Sequence, residues 1–157
     1  MTRDRNAARK TGKMLQAPLA SRLIRRHEGV CAKPYTDSVG KLTIGVGRNL
    51  SDRGLSVPEI NFLYENDYQI ACSVLDIWTE GWTEWPLGPR LALISMAYNL
   101  GAPRLNSFAR MRAALLAADF EAAAREALDS KWATQTGQRS TEIAALIRGD
   151  LSVLQDG

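Results

Sequence analysis

One stretch, from Glu28 to Gly47, interrupts a chain that otherwise reads as helix. Ahead of it, Leu19, Leu23, Ile24 and His27 recur at helical spacing behind Pro18, a residue tolerated in a first helical turn. Gly29 is placed to end that helix, so Glu28 falls at its C-terminus, where the helix dipole disfavours a negative charge. Two strand candidates follow, Ala32–Thr36 and Lys41–Val46. Between them Asp37, Ser38, Val39 and Gly40 have turn chemistry, Asp first and Gly last. Asp52, Arg53 and Gly54 mark a further turn, and a third short strand is expected after it.

Beyond that point the pattern is helical. Ser56 and Glu59 have the spacing of a capping box. The apolar stripe Ile60, Leu63, Tyr64, Ile70, Ala71, Val74 and Leu75 predicts a long helix reaching Trp78. Gly81 to Gly88 reads as a connection. Arg90 to Leu100 is nearly all apolar and predicts a buried central helix closed by Gly101. Three short amphipathic helices are expected over Phe108–Ala118, Phe120–Ser130 and Ser140–Arg148. The pattern is α+β, mainly helical, and a long helix with an apolar stripe can tie a small lobe with a β-hairpin or three strands to a helical lobe. The expected division is a basic leader over residues 1–17 and one domain over 18–157, with the β lobe at about 29–56 and the helical lobe at about 80–157.

Composition narrows the function classes. A chain of 157 residues with 45% hydrophobic and 24% charged residues can bury a real core. No apolar run approaches the roughly 18 residues that a membrane span needs, so no stable membrane insertion is expected. The basic N-terminal residues lack the apolar centre of a secretory signal. They include Arg3, Arg5, Arg9, Lys10 and Lys13 and read as a solvated leader. A net charge of +3 favours polyanions in general, but there is no basic stripe with interleaved aromatics, so a nucleic-acid partner is not expected. Cys31 and Cys72 are too few for a disulfide framework and read as free thiols.

Most chemical motifs fail. Gly45 and Gly47 lack the third glycine of a dinucleotide loop. One histidine, His27, leaves too few ligands for a catalytic zinc and no nucleophile elbow to serve, so neither metal nor cofactor is expected. What survives is the carboxylate pair Glu28 and Asp37 with the hydroxyl of Thr43. Hydrolysis of a glycosidic bond needs an acid at the leaving oxygen and a base or nucleophile on the other side. Two carboxylates in unlike surroundings, one at a helix end and one on a turn, meet that need.

The neighbours of the pair sharpen it. Glu28-Gly29, then Tyr35, Asp37, Gly40, Thr43, Ile44, Gly45 and Gly47, resembles the signature of the phage-type lysozymes, glycoside hydrolase family 24, in which Glu, eight residues, Asp, five residues and Thr follow in order. The run Leu93 to Gly101 is similar to that family's buried helix, with Phe108 where an aromatic is expected. Ser130, Lys131, Trp132, Gln135, Thr136 and Arg139 resemble its C-terminal substrate-side motif. The resemblance covers about residues 18–150. It departs at Arg48 and Asn49, where His and an apolar residue are frequent, and at Ala133.

The resemblance implies a two-lobed muramidase that hydrolyses the β-1,4 bond between N-acetylmuramic acid and N-acetylglucosamine in peptidoglycan, with inversion. It implies Glu28 as general acid, with Asp37 and Thr43 holding and activating the water. Gly45, Gly47, Asn49, Tyr98, Asn99, Gln135 and Arg139 are the expected substrate-binding residues, with Gln135 and Arg139 near Glu28 or the peptide stem. The expected setting is a monomeric endolysin. It would be made in the host cytoplasm and act on the wall in the periplasm after a separate holin-type protein opens the membrane. A tail-associated lysozyme and a catalytically idle peptidoglycan-binding protein are the alternatives.

Overall fold

The computed structural model describes residues 17–155; the expected basic leader lies almost wholly outside them. The chain is mainly helical with one small antiparallel sheet. It divides between Ile60 and Asn61 into two compact units.

The first unit opens with helix α1, residues 17–28. Gly29 ends it as expected, with φ of 75° and its N–H donating to the carbonyl of Arg25 at 3.0 Å. Strands β1 (Cys31–Thr36), β2 (Leu42–Gly45) and β3 (Arg48–Asn49) pair in the order β1-β2-β3. The register of β1 on β2 shifts between Cys31 and Tyr35, where Pro34 has no N–H to give to the ladder.

The third strand is not where the sequence placed it. It precedes the Asp52–Gly54 turn, and Leu50–Arg53 form a one-turn helix, α2. Asn49 caps α2 by accepting from the Asp52 N–H at 2.9 Å, and Gly54 closes it. Turn residues that promise a strand also serve as helix caps, and two-residue strands carry no readable period.

Helix α3 (Val57–Trp78) starts at the expected box. The N–H and hydroxyl of Ser56 both donate to Glu59 Oε2, at 2.8 and 2.7 Å. Ala71, Leu75 and Trp78 are its buried residues, one helical stripe.

The second unit holds the apolar core. Helix α4 (Leu87–Leu105) supplies Ala92, Leu93, Met96, Ala97 and Leu100 to it. The helical path breaks at Gly101, with φ of 64° and ψ of 172°, and resumes with Pro103 in the new first turn. The expected close at Gly101 is therefore a kink. After α4 come α5 (Ala109–Leu116), α6 (Phe120–Leu128), α7 (Lys131–Thr136) and α8 (Gln138–Ile147); α8 packs against α4, α6 and α7, and α5 against α6. Helix α7 was not expected. It is six residues long, capped by Ser130, whose hydroxyl accepts from the Ala133 N–H at 3.1 Å. Gly88 packs closely on α8, because a Cβ there would fall on the carbonyl oxygen of Leu146. Both cysteines are free, Cys31 exposed and Cys72 half-buried. Among the described residues, no helix is long and apolar enough to cross a membrane.

Candidate active site

The turn after β1 makes Asp37 an anchored anion. Its backbone N–H donates to the Lys41 carbonyl at 2.9 Å, and the Gly40 N–H closes the turn onto the Asp37 carbonyl at 3.0 Å. With the loop so fixed, Asp37 Oδ1 accepts from the N–H groups of Val39 at 3.0 Å and Lys41 at 2.8 Å. The Lys41 N–H foremost, then the Val39 N–H and the Thr43 hydroxyl, hold the Asp37 carboxyl below the usual aspartate range. A carboxylate that accepts backbone donors keeps its charge, which suits a base.

Thr43 is the first inward residue of β2 after the turn and is 4% exposed. Its hydroxyl lies 3.3 Å from Asp37 Oδ2 and 3.2 Å from the Lys41 carbonyl. It has one proton, so it donates to one of the two at a time, and its lone pairs stay available to a water.

Glu28 stands in a different setting. Among the described residues its carboxylate accepts no hydrogen bond, from Asp37, Thr43 or any other group. It rests instead on the backbone of Gly47: a Cβ at Gly47 would lie 2.8 Å from Glu28 Oε2. Gly47 has φ of 66° and Gly45 φ of 67°, a region where side chains are strained. The sequence suggested these glycines for a close approach to sugar. What Gly47 approaches in the structure is the Glu28 carboxylate.

Arg48, which the sequence left unassigned, is a tie. Its Nε donates to the Gly54 carbonyl at 3.1 Å, and its Nη2 forms an ion pair with Glu59 Oε2. Asn49 is engaged as the α2 cap, and its Nδ2 also donates to Asp52 Oδ2 at 2.9 Å. No motif announced the Arg48–Glu59 pair, since the partners are far apart in sequence and on different elements.

The second unit carries the other expected binding residues in separate places. Tyr98 and Arg139 line one cavity of about 300 Å³ with Tyr64, Tyr68 and Ser95. Arg139 Nη2 donates to the Ser95 hydroxyl at 3.2 Å, and the Tyr98 and Tyr64 ring centroids are 6.2 Å apart. Gln135 lines a different cavity, about 360 Å³, with Phe108, Arg104, Lys131 and Trp132. Asn99 braces that wall: its Oδ1 accepts from the Trp132 indole N–H at 3.1 Å, and Phe108 meets Trp132 edge-on. Among the described residues no three His, Cys, Asp or Glu side chains gather into a metal site.

The sequence profile of the phage lysozymes matches residues 25–148 of the chain. The chain is also similar to the pre-baseplate central spike protein Gp5 of Enterobacteria phage T4, at 26% identity over 155 residues. That match covers 80% of this chain and 27% of the relative, so the chain spans only about a quarter of the curated protein it matches.

Proposed function

Because the chain belongs to the phage lysozyme family, we propose that it is a muramidase that hydrolyses the β-1,4 bond between N-acetylmuramic acid and N-acetylglucosamine by single-step inversion. The observation that carries this reading is the contrast between the two carboxylates. Asp37 accepts two backbone N–H groups beside a buried hydroxyl, whereas Glu28 accepts none among the described residues and sits against a glycine. Such a contrast in hydrogen bonding supports different roles for the two carboxylates, with the anchored Asp37 as the base. In the proposed reaction Glu28 gives its proton to the glycosidic oxygen as the C–O bond breaks. A water held by Thr43 and Asp37 attacks the anomeric carbon from the opposite face, and Asp37 takes the water's proton. The roles of Gly45, Asn49, Tyr98, Asn99, Gln135 and Arg139 in binding the glycan and its peptide stem are part of the same proposal.

The biological setting proposed first is lysis: an endolysin that acts alone, made in the host cytoplasm and admitted to the wall by a separate membrane-permeabilising protein. A second reading, a lysozyme carried on the phage tail, is favoured by the likeness to a central spike protein. Digestion of purified peptidoglycan, followed by reduction and analysis of the new ends, tests the chemistry. Reduced N-acetylmuramic acid supports it, and reduced N-acetylglucosamine contradicts it. Binding without new ends would point to an idle wall-binding protein. Detection of the chain in purified virions would select the tail reading over the lysis reading.

A further inference from the structure

The Glu28 carboxylate leans on the backbone of a short turn, and the segment beyond β3 is tied back to β2 where the Leu42 N–H donates to the Ser51 hydroxyl and Lys41 pairs with Asp52. Gly47 follows Gly45 and Val46 in the turn between β2 and β3, and both glycines have positive φ. Strand β3 is two residues long, and its pairing with β2 consists of Thr43 with Asn49 and Ile44 with Arg48. A ladder this short and a turn this rich in glycine do not by themselves fix a position to within a fraction of an ångström.

The side chain next to Gly47 adds a restraint in another direction, toward the end of α2 and the start of α3. The guanidinium of Arg48 reaches two points at once: the Gly54 carbonyl that ends α2 and the Glu59 carboxylate in the first turn of α3. Glu59 is itself held by the N–H and the hydroxyl of Ser56. A planar, two-ended donor is well suited to such a clamp. Every residue in this chain of contacts belongs to the first unit.

We infer that Arg48 is a positioning residue for Glu28: by fastening β3 to Gly54 and to the start of α3, it keeps Gly47 against the Glu28 carboxylate. The catalytic meaning of this clamp rests on the acid role proposed for Glu28; the clamp itself does not. A reacting group must be held within about half an ångström of its working place, and a small displacement from a distant change lowers turnover sharply.

The test uses the full chain, with Arg48→Ala, Glu59→Gln and Arg48→Lys beside the wild type, and two readouts. By NMR, the Gly47 amide and the Glu28 side-chain carboxyl resonances should both shift in Arg48→Ala and Glu59→Gln, while the Gly137 amide in the second unit stays in place. By reducing-end release from peptidoglycan, Arg48→Ala should lose roughly tenfold to a hundredfold in kcat with KM nearly unchanged. Arg48→Lys should recover part of it, because an ammonium can meet Glu59 but cannot fork to Gly54. A folded Arg48→Ala with unmoved Gly47 and Glu28 resonances would overturn the inference. So would an unchanged kcat, or a loss confined to KM, which would mark Arg48 as a sugar contact. If Arg48→Ala does not fold, Glu59→Gln reads out the same clamp from its other end while leaving an acceptor for Ser56. If the wild type releases no reducing ends, the muramidase reading fails, and the resonances still decide the clamp.

Discussion

A carboxylate that accepts backbone N–H bonds keeps its charge at acidities where a free one loses it, and Asp37 accepts them from Val39 and Lys41. Its folded value is lowered from about 3.8. The stabilisation that follows is fully present above the unfolded aspartate value, near 4, and is lost as the pH falls through the folded value. Melting of Asp37→Asn against wild type from pH 7 to pH 2 should therefore show a gap that is widest near neutrality and closes in acid. A gap that stays constant across the range would mean that the charge of Asp37 is not what its donors hold.

Gly47→Ala places a methyl against Glu28 Oε2 and forces alanine to a φ of 66°, a backbone strain of about 1–3 kcal/mol. Peptidoglycan hydrolysis should fall at least tenfold, comparable to other small misplacements of reacting groups, while circular dichroism still reports a folded chain. Full activity in Gly47→Ala would show that Glu28 does not need this wall. The Gly47–Glu28 contact was not legible in the sequence. The pair lies across a turn and two strands, and the glycine suggested an approach to substrate as readily as to a side chain.

At the scale of elements, the local signals that chain chemistry sets were readable. The Asp37 to Gly40 turn fixed the hairpin, Ser56 and Glu59 fixed the start of α3, and Gly29 fixed the end of α1. Each rests on bonds within a few residues, so the pattern survives in the sequence. Elements too short to show a period were lost or displaced. Lys131–Thr136 has no apolar stripe to announce α7, and the cap at Ser130 stood alone as its signal. Asp52, Arg53 and Gly54, expected as a turn leading into a third strand, instead form the end of α2 and its C-cap.

Packing between elements is equally hidden. Nothing in the sequence says that Gly88 of α4 lies on the last turn of α8, yet no side chain fits there. Gly88→Ala should cost about 1–3 kcal/mol, the usual penalty of overpacking. It should appear as a lower denaturant midpoint with an unchanged slope. An unshifted midpoint would mean that the two helices can part without loss.

For the molecule as a whole, the division of labour follows the division of secondary structure. The first unit carries the charged chemistry on turns and hydrogen bonds. The second carries the buried apolar core, with Leu93, Met96, Leu105 and Ile147 among its enclosed side chains. The α+β, mainly helical class was legible because a hairpin with turn chemistry stood before an unbroken series of helical stripes. The family was legible because Glu28, Asp37 and Thr43 keep a fixed spacing and two further blocks follow in order; the match over residues 25–148 rests on the same region. The surroundings of the expected binding residues were not legible. Tyr98 and Arg139 line one cavity, Gln135 lines another, and Asn99 is bonded to Trp132.

The muramidase reading turns on the acid role proposed for Glu28. Reducing-end release from purified peptidoglycan by the wild type and by Glu28→Gln addresses it directly. The wild type should generate N-acetylmuramic acid ends, and Glu28→Gln, folded and still able to sediment with peptidoglycan, should lose on the order of 10²–10⁴ in rate, the usual contribution of a general acid. A Glu28→Gln protein that generates the same ends at the wild-type rate would contradict the assignment of Glu28 and, with it, the division of roles between the two carboxylates.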